Sequence, residues 1–394
     1  MAGYELIGKE EQEAINEIFE KGGGTLFRHG FEKMRNGIYK ADEFEKEFAK
    51  KFNVNYARAV SSGTAALLVA LKALGVKQGD EVITQSFTFV ATVEAIIEAG
   101  AVPVITEINK TLNMDPADLE KKITSKTKVI IPVHMMGVSC QMKEIMEVAR
   151  KHNIAVLEDT AQAIGGTYQD KYLGAIGDMG IYSFDFGKNL TTGEGGMVVT
   201  NNKELYLMAK EYSDHGHEGN PNFPRGEDTR RMPGFNFNIT ELQGAIGLAQ
   251  LKKFDWAQEK QKQNKDKIKN AIKDLPGIDF RELPDEKGDC GDSLVFFMEN
   301  PEKAKMFAKS LAEKGFGTKN IPSAFNWHFA GTWDHMLPQF EIYKGKDLTK
   351  VWEKSFNIVK GAIALPILIK MDEDQINKLV EAIKEIFNRV NEEL

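Results

Sequence analysis

The chain has 394 residues, 28% of them charged and 42% hydrophobic, with a formal net charge of −7. That balance predicts a soluble globular protein long enough for one large domain and one smaller one. It excludes a membrane span, since no window approaches roughly 18 consecutive apolar residues, and scattered lysines leave no basic stripe for nucleic acid. The start, Met1-Ala2-Gly3-Tyr4-Glu5-Leu6, lacks the basic-then-apolar layout of a signal peptide, so a cytoplasmic protein is expected. Cys140 and Cys290 lie far apart with no CxxC or histidine spacing nearby, which predicts free thiols and no metal site.

In chain order, the first elements are helices over Lys9 to Glu20 and Asp42 to Phe52. Between them Gly22-Gly23-Gly24 is too costly for a helix interior. This segment is expected to pack on a partner or line a cleft. From Tyr56 strands alternate with helices: Ala57 to Val60, then Thr64 to Leu74; Glu81 to Thr84, then Phe89 to Glu98; Val102 to Ile105; Val129 to Pro132, then Met142 to His152; Ile154 to Glu158. Crossover helices between strands predict a mainly parallel sheet covered on both faces. Strands Gly180 to Phe184 and Met197 to Thr200 flank Lys188 without a helix between them, which places a lysine-bearing loop on the sheet.

After a helix over Lys203 to Asp214, the polar stretch His215 to Arg231 is too long for a simple connection and reads as a lid, arm or binding loop. A long helix, Thr240 to about Ile272, carries the chain out of the first domain. The rest reads as α+β: strands Ile278 to Arg281 and Ser293 to Glu299, a helix Glu302 to Lys314, an irregular aromatic segment Ile321 to Pro338 and a closing helix Asp372 to Asn391. The expected division is an N-terminal arm plus large domain over 1–255 and a small C-terminal domain over 256–394.

Three segments carry chemistry. Lys188 follows Tyr182-Ser183-Phe184-Asp185-Phe186-Gly187 and precedes the turn Gly193-Glu194-Gly195-Gly196; Asp159 closes an apolar strand; Ser62-Gly63-Thr64 opens a helix. Alone, each has an ordinary reading: a surface lysine, a helix cap, a capped helix start. Together they supply an amine, a carboxylate at a strand's carboxyl end, where α/β sheets bind ligands, and main-chain donors for an anion. Pyridoxal phosphate requires that combination. Phe89, at the start of a helix, could stack on an aromatic ring or belong to the core.

These segments resemble the DegT/DnrJ/EryC1/StrS family of sugar aminotransferases, which are fold-type I pyridoxal phosphate enzymes. The likeness is strong over residues 55 to 251, through Ser62-Gly63-Thr64, Phe87-Thr88-Phe89, Glu158-Asp159 with Gln162, Ser183-Phe184 before Lys188, Gly193-Glu194-Gly195-Gly196 and Gly234-Phe235-Asn236-Phe237-Asn238. It is looser in the last third, through Ala364-Leu365-Pro366. The resemblance implies that Lys188 binds the cofactor covalently and then shuttles a proton, and that Asp159 pairs with the pyridine nitrogen. It places Phe89 on the ring, Gln162 at the phenolic oxygen, and Gly63, Thr64 and Ser183 at the phosphate. Asn236 would reach the phosphate from a second subunit of a homodimer. Asn238 stands where many relatives have arginine.

A narrower resemblance runs toward KdnA-type enzymes, which aminate the C8 aldehyde of an oxidised octulosonate for lipopolysaccharide. It rests on Met34-Arg35-Asn36, Val133-His134-Met135, Ser213-Asp214-His215-Gly216-His217, Phe280-Arg281-Glu282-Leu283-Pro284-Asp285 and Asn326-Trp327-His328. It makes Arg28, His215, His217, Trp327 and His328 candidates for contact with an anionic sugar, with glutamate as the expected amino donor. Two rivals stand beside it. A nucleotide-linked keto-hexose aminotransferase would use Arg225, Arg230 and Arg231 on the diphosphate; a regulator of the same fold would bind without turnover. An NAD-dependent oxidoreductase fits less well, because no GxGxxG follows the first strand.

Overall fold

The computed structural model describes residues 3–220 and 222–393; Met1, Ala2, Pro221 and Leu394 lie outside the described residues. Its centre is a seven-stranded sheet built from β1 (Tyr56–Val60), β2 (Glu81–Gln85), β3 (Val102–Thr106), β4 (Thr127–Ile130), β5 (Ala155–Asp159), β8 (Met179–Ser183) and β9 (Gly196–Thr200). The order is β1-β9-β8-β5-β4-β2-β3. Neighbours from β8 to β3 pair in parallel, while β9 runs antiparallel to both β8 and β1. Register brings Val60 opposite Gly196, and Gly196 opposite Ser183. The carboxyl ends of β1, β5 and β8 therefore share one edge with the start of β9.

The strands are apolar at most positions and buried along nearly their whole length because both faces are covered. The helix Gly63–Ala73 is apolar on nearly every side for the same reason: it packs against β8 and β9 below and against Ala91–Glu98 and Lys203–Tyr212 beside it. Met142–His152 is amphipathic instead and stops at Asn153, whose φ of 53° is the left-handed conformation that ends a helix. Thr240 and Gln243 form a reciprocal capping box at the start of Glu241–Ile272, with Gln243 Oε1 accepting the Thr240 N–H at 2.8 Å. Such a cap is worth about 1 kcal/mol. Gln243 Nε2 also donates to Glu194 O at 2.8 Å, which ties the cap to the glycine turn after Lys188.

The expected division at residue 255 falls inside this unbroken helix. Beyond it, β10 (Asp279–Phe280), β11 (Ser293–Phe297) and β12 (Ala362–Pro366) make an antiparallel sheet covered by Pro301–Glu313 and Glu373–Glu393. Several elements differ from the sequence reading. The helix expected from Phe89 starts at Ala91, so Phe89 lies in the preceding loop. A helical turn Glu32–Arg35 lies between the glycine run and the second expected helix, and a helix Pro116–Lys122 lies in a stretch with no element assigned. β6 (Thr167–Tyr168) and β7 (Lys171–Tyr172) form a hairpin too short to show alternation, and β12 is a strand where the sequence reading has none. Among the described residues no helix is long and apolar enough to cross a membrane.

Candidate active site

At the shared sheet edge lies a cavity of about 360 Å³ lined by Ser62, Gly63, Thr64, Phe89, Asp159, Gln162, Ser183, Asp185, Lys188, Glu194, Asn320 and His328, among others. Seven of the residues expected at the cofactor thus meet in one place: Gly63, Thr64, Phe89, Asp159, Gln162, Ser183 and Lys188.

Asp159 ends β5 and is buried. Its Oδ2 accepts from Thr92 Oγ1 at 2.8 Å and its Oδ1 from the Ala161 N–H at 3.1 Å. Burial pushes the carboxyl above its ordinary value, against the pull of these donors and of Lys188. A buried carboxylate without a paired cation is held ready for one. Lys188 is half-buried and lines the cavity. Loss of water lowers its pKa, Lys319 adds to the effect, and Asp185 and Asp159 oppose it only through space. A lysine poised in this way is more readily neutral and nucleophilic.

The anion cradle follows from close approach. Ser62 caps Gly63–Ala73, its Oγ accepting the Ala65 N–H at 3.0 Å, and the first N–H groups of the helix turn toward the cavity. A Cβ on Gly63 would lie 2.8 Å from Ser183 Cβ, and one on Gly196 only 2.4 Å from Ser62 O. Glycine at both positions lets β1, β8 and β9 draw the cradle tight. Phosphate donors, a carboxylate for a ring nitrogen and a desolvated amine surround one volume, so the residues present fit pyridoxal phosphate.

Gln162 is buried beside them, its Oε1 accepting from Asn320 Nδ2 at 2.9 Å and the Met136 N–H at 3.3 Å. Phe89 is partly exposed and stacks with Trp327, centroids 6.0 Å apart at 10°. His328 lines the cavity with Nδ1 2.8 Å from Ala324 O, which fixes Nδ1 as the protonated nitrogen. Burial pushes its pKa down to about 4, with Lys188 and Lys319 adding to the shift against that hydrogen bond.

Other candidates lie elsewhere. Arg28 is buried in ion pairs with Glu45 at 2.6 Å and Asp42 at 3.0 Å. Its charge is neutralised where an open guanidinium was expected for a sugar. His217 is buried, with Nδ1 3.7 Å from Asp228, and His215 is exposed with φ 55°. His215 and Asn236 line a second cavity of about 400 Å³ with Phe27, His29, Phe31, Asp214, Arg225 and Asn238. Three side chains of the narrower resemblance are structural here. Arg35 is buried over the Tyr39 ring; His134 bonds Glu158 at 3.1 Å; Arg281 donates to Thr111 O and Met135 O. Sequence reasoning missed Thr92 and Asn320. Thr92 was within reach, one helical turn after Thr88; Asn320 belongs to no pattern.

A parallel sheet with one reversed strand, carrying these groups at its edge, defines a fold-type I pyridoxal phosphate enzyme. The chain belongs to the DegT/DnrJ/EryC1/StrS aminotransferase family, whose model matches residues 8–384. It is an aminotransferase, and pyridoxal phosphate is its cofactor. Over 391 residues it is 35% identical to the spore coat polysaccharide biosynthesis protein SpsC of Bacillus subtilis (strain 168), covering 97% of this chain and 95% of that protein. Over 214 residues, 54% of this chain and 57% of the relative, it is 44% identical to GDP-perosamine synthase of Escherichia coli O157:H7. An aminotransferase structure from Psychrobacter cryohalolentis superposes with a TM-score of 0.84 at 27% identity over 98% of both chains. Helicobacter pylori PseC, an aminotransferase of pseudoaminic acid biosynthesis, gives 0.81 at 25% over 97% of both.

Proposed function

We propose that this aminotransferase moves an amino group from an amino acid, glutamate by preference, to the carbonyl of a sugar. The observation that carries the reading is the convergence of Asp159, Lys188 and the Ser62-Gly63-Thr64 cradle on one cavity. When bound, pyridoxal phosphate supplies an electron sink for negative charge on the donor's α-carbon. Asp159 keeps the ring nitrogen protonated, which sustains that sink. Lys188 Nζ would carry the proton from the donor's α-carbon to the cofactor's C4′, and would run the same transfer in reverse when the sugar carbonyl takes the amine. Ser183, Thr64 and the N–H groups at Gly63 and Thr64 would hold the phosphate, Gln162 would meet the phenolic oxygen and Phe89 would stack on the ring. His328, neutral and oriented by Ala324, offers Nε2 as a hydrogen-bond acceptor to a sugar hydroxyl.

For the acceptor, the octulosonate C8 aldehyde remains our preferred substrate. Two of the arginines that a diphosphate would need are engaged: Arg225 by Asp214, and Arg231 by Glu204, Glu211 and Glu218. His328 lines the cavity and Trp327 stacks on the cavity residue Phe89, which leaves a polar group and an aromatic face for a small polar sugar. The second reading, a nucleotide-linked keto-hexose, is favoured by the likeness to GDP-perosamine synthase. Turnover of both acceptors with glutamate decides. Faster amination of the nucleotide-linked sugar overturns the octulosonate reading and leaves the aminotransferase intact.

We further propose a homodimer in which Asn236 completes the partner's site. Asn236 lies outside the Lys188 cavity, amid the exposed rings of Phe27, Phe31 and Phe235, and apolar patches of this kind mark association surfaces. In mixed dimers, an Asn236→Ala chain and a Lys188→Ala chain should restore one working site. No recovered activity in a demonstrated heterodimer counts against sharing.

A further inference from the structure

The loop bearing Lys188 is gripped by a segment that the cofactor chemistry does not use. Residues Gly3–Leu6 form one turn of 3-10 helix laid against it. The Gly3 N–H donates to the carbonyl of Lys188 itself at 2.9 Å. Gly3 is wedged so closely that a Cβ would lie 2.6 Å from Lys188 O and 2.7 Å from Asn189 O. Tyr4 stacks on Phe186, two residues before the lysine, with centroids 5.5 Å apart at 23°. The far end of the turn is anchored to the C-terminal part of the chain. Glu5 Oε2 accepts the Ile369 N–H at 2.8 Å, Leu6 packs with Ala257 and Ile369, and Lys253 Nζ donates to Leu6 O at 2.5 Å. A second path runs in parallel, from Asn189 Nδ2 to Gln261 Oε1 at 3.0 Å and from Gln261 Nε2 to Ile367 O at 2.5 Å.

We infer that Gly3–Leu6 is a positioning strap for Lys188, which sets the depth of its amine in the cavity by fixing its main chain against residues 367–369. The inference rests on the reading of Lys188 as the reacting amine. A lysine reaches its target through a flexible four-carbon stem, so its carbonyl is where the protein can hold it most firmly. Inside the loop, Lys188 N–H donates to Asp185 O and the Gly187 N–H to Asp185 Oδ1, both at 2.9 Å. These bonds shape the turn without tying it to the rest of the fold. The strap supplies that tie on one side and Asn189 supplies it on the other.

The test uses full-length holoenzyme. Gly3→Ala drives a methyl into the Lys188 carbonyl, Tyr4→Ala removes the stack on Phe186, and Tyr4→Phe retains it. In both Ala variants kcat should fall about five- to tenfold, as small misplacements of a reacting group do, with KM for the acceptor nearly unchanged. The pH midpoint of the visible absorbance of the lysine-bound cofactor should shift with it, and Tyr4→Phe should match wild type. Borohydride reduction and peptide mapping accompany each measurement. If either Ala variant keeps wild-type kcat and midpoint while label maps to Lys188, the strap is refuted and the lysine assignment stands. A lower melting temperature with an unchanged midpoint also refutes it, as does loss of the midpoint in Tyr4→Phe. Label on another lysine overturns the assignment and the strap together.

Discussion

Two aspartates in two cavities show how differently one side chain can be used. Asp159, in the Lys188 cavity, is buried with a hydroxyl and one N–H for company, and burial raises its pKa. Asp214, in the cavity with Asn236, is also penalised by burial, but Arg225 grips both its oxygens at 2.6 and 2.8 Å and Asn238 adds a third bond. These partners hold its carboxyl well below the usual range. Asn238 is itself fixed by Arg58 Nη2 at 2.6 Å. The first cavity keeps a charge unmatched for a ligand to meet. The second has already matched its charges, and what it leaves open is an aromatic surface.

The contrast can be broken at several points. The largest effect is expected at Lys188: Lys188→Ala should lose about a thousandfold or more in kcat, as loss of a reacting group does, and borohydride should fix no cofactor at that position. Asp159→Asn should keep the cofactor and lose about a hundredfold in turnover, the usual scale for removing a charge aimed at a developing one. Cofactor occupancy read by absorbance separates the two variants. Near-normal turnover in Asp159→Asn would give the carboxylate another task.

Unfolding of the apoprotein in urea at several pH values sharpens the comparison further. With its folded pKa raised, Asp159 makes the folded state bind more protons than the unfolded chain just above the ordinary aspartate value, so stability falls as pH rises through that window. Asp159→Asn should abolish this fall. Asp214 has the opposite sign: its contribution is present above the ordinary value and fades as pH drops toward its lowered pKa. Asp214→Asn should therefore destabilise the neutral protein by about 1–2 kcal/mol, discounted for partial exposure, with little change in cofactor binding. The smallest effect belongs to His215→Ala, where exposure predicts a change in melting within about 0.5 kcal/mol; a larger loss would show that the exposed ring is packed. In acceptor turnover, His328→Ala should exceed it.

Legibility followed chemistry. The strands and the helix Met142–His152 were readable because unbroken apolar runs and a 3.6-residue period are written into local sequence. The Lys188, Asp159 and Gly63 groups were readable because the cofactor demands those residue types at strand ends. Arg28 looked available because sequence does not show which carboxylate a guanidinium will find; here Glu45 takes it. The hairpin Thr167–Tyr168 with Lys171–Tyr172 is too short for periodicity. Asn320 enters the cavity only because β12 draws its segment in, through the Lys319 N–H to Ala364 O at 2.8 Å, and long-range pairing leaves no local mark.

The reversed strand β9 has a consequence for how the protein is made. The cradle needs Val60 opposite Gly196 and Gly196 opposite Ser183, so its two halves are far apart in the chain. While the polypeptide is being synthesised, Ser62-Gly63-Thr64 has no Ser183 beside it until β8 and β9 have emerged and the edge strand has closed. Pairing of this kind is slow, because loop closure precedes its reward. The cofactor can therefore find its phosphate seat only after β9, which ends at Thr200, has emerged and paired, and once bound it stabilises the folded state by mass action.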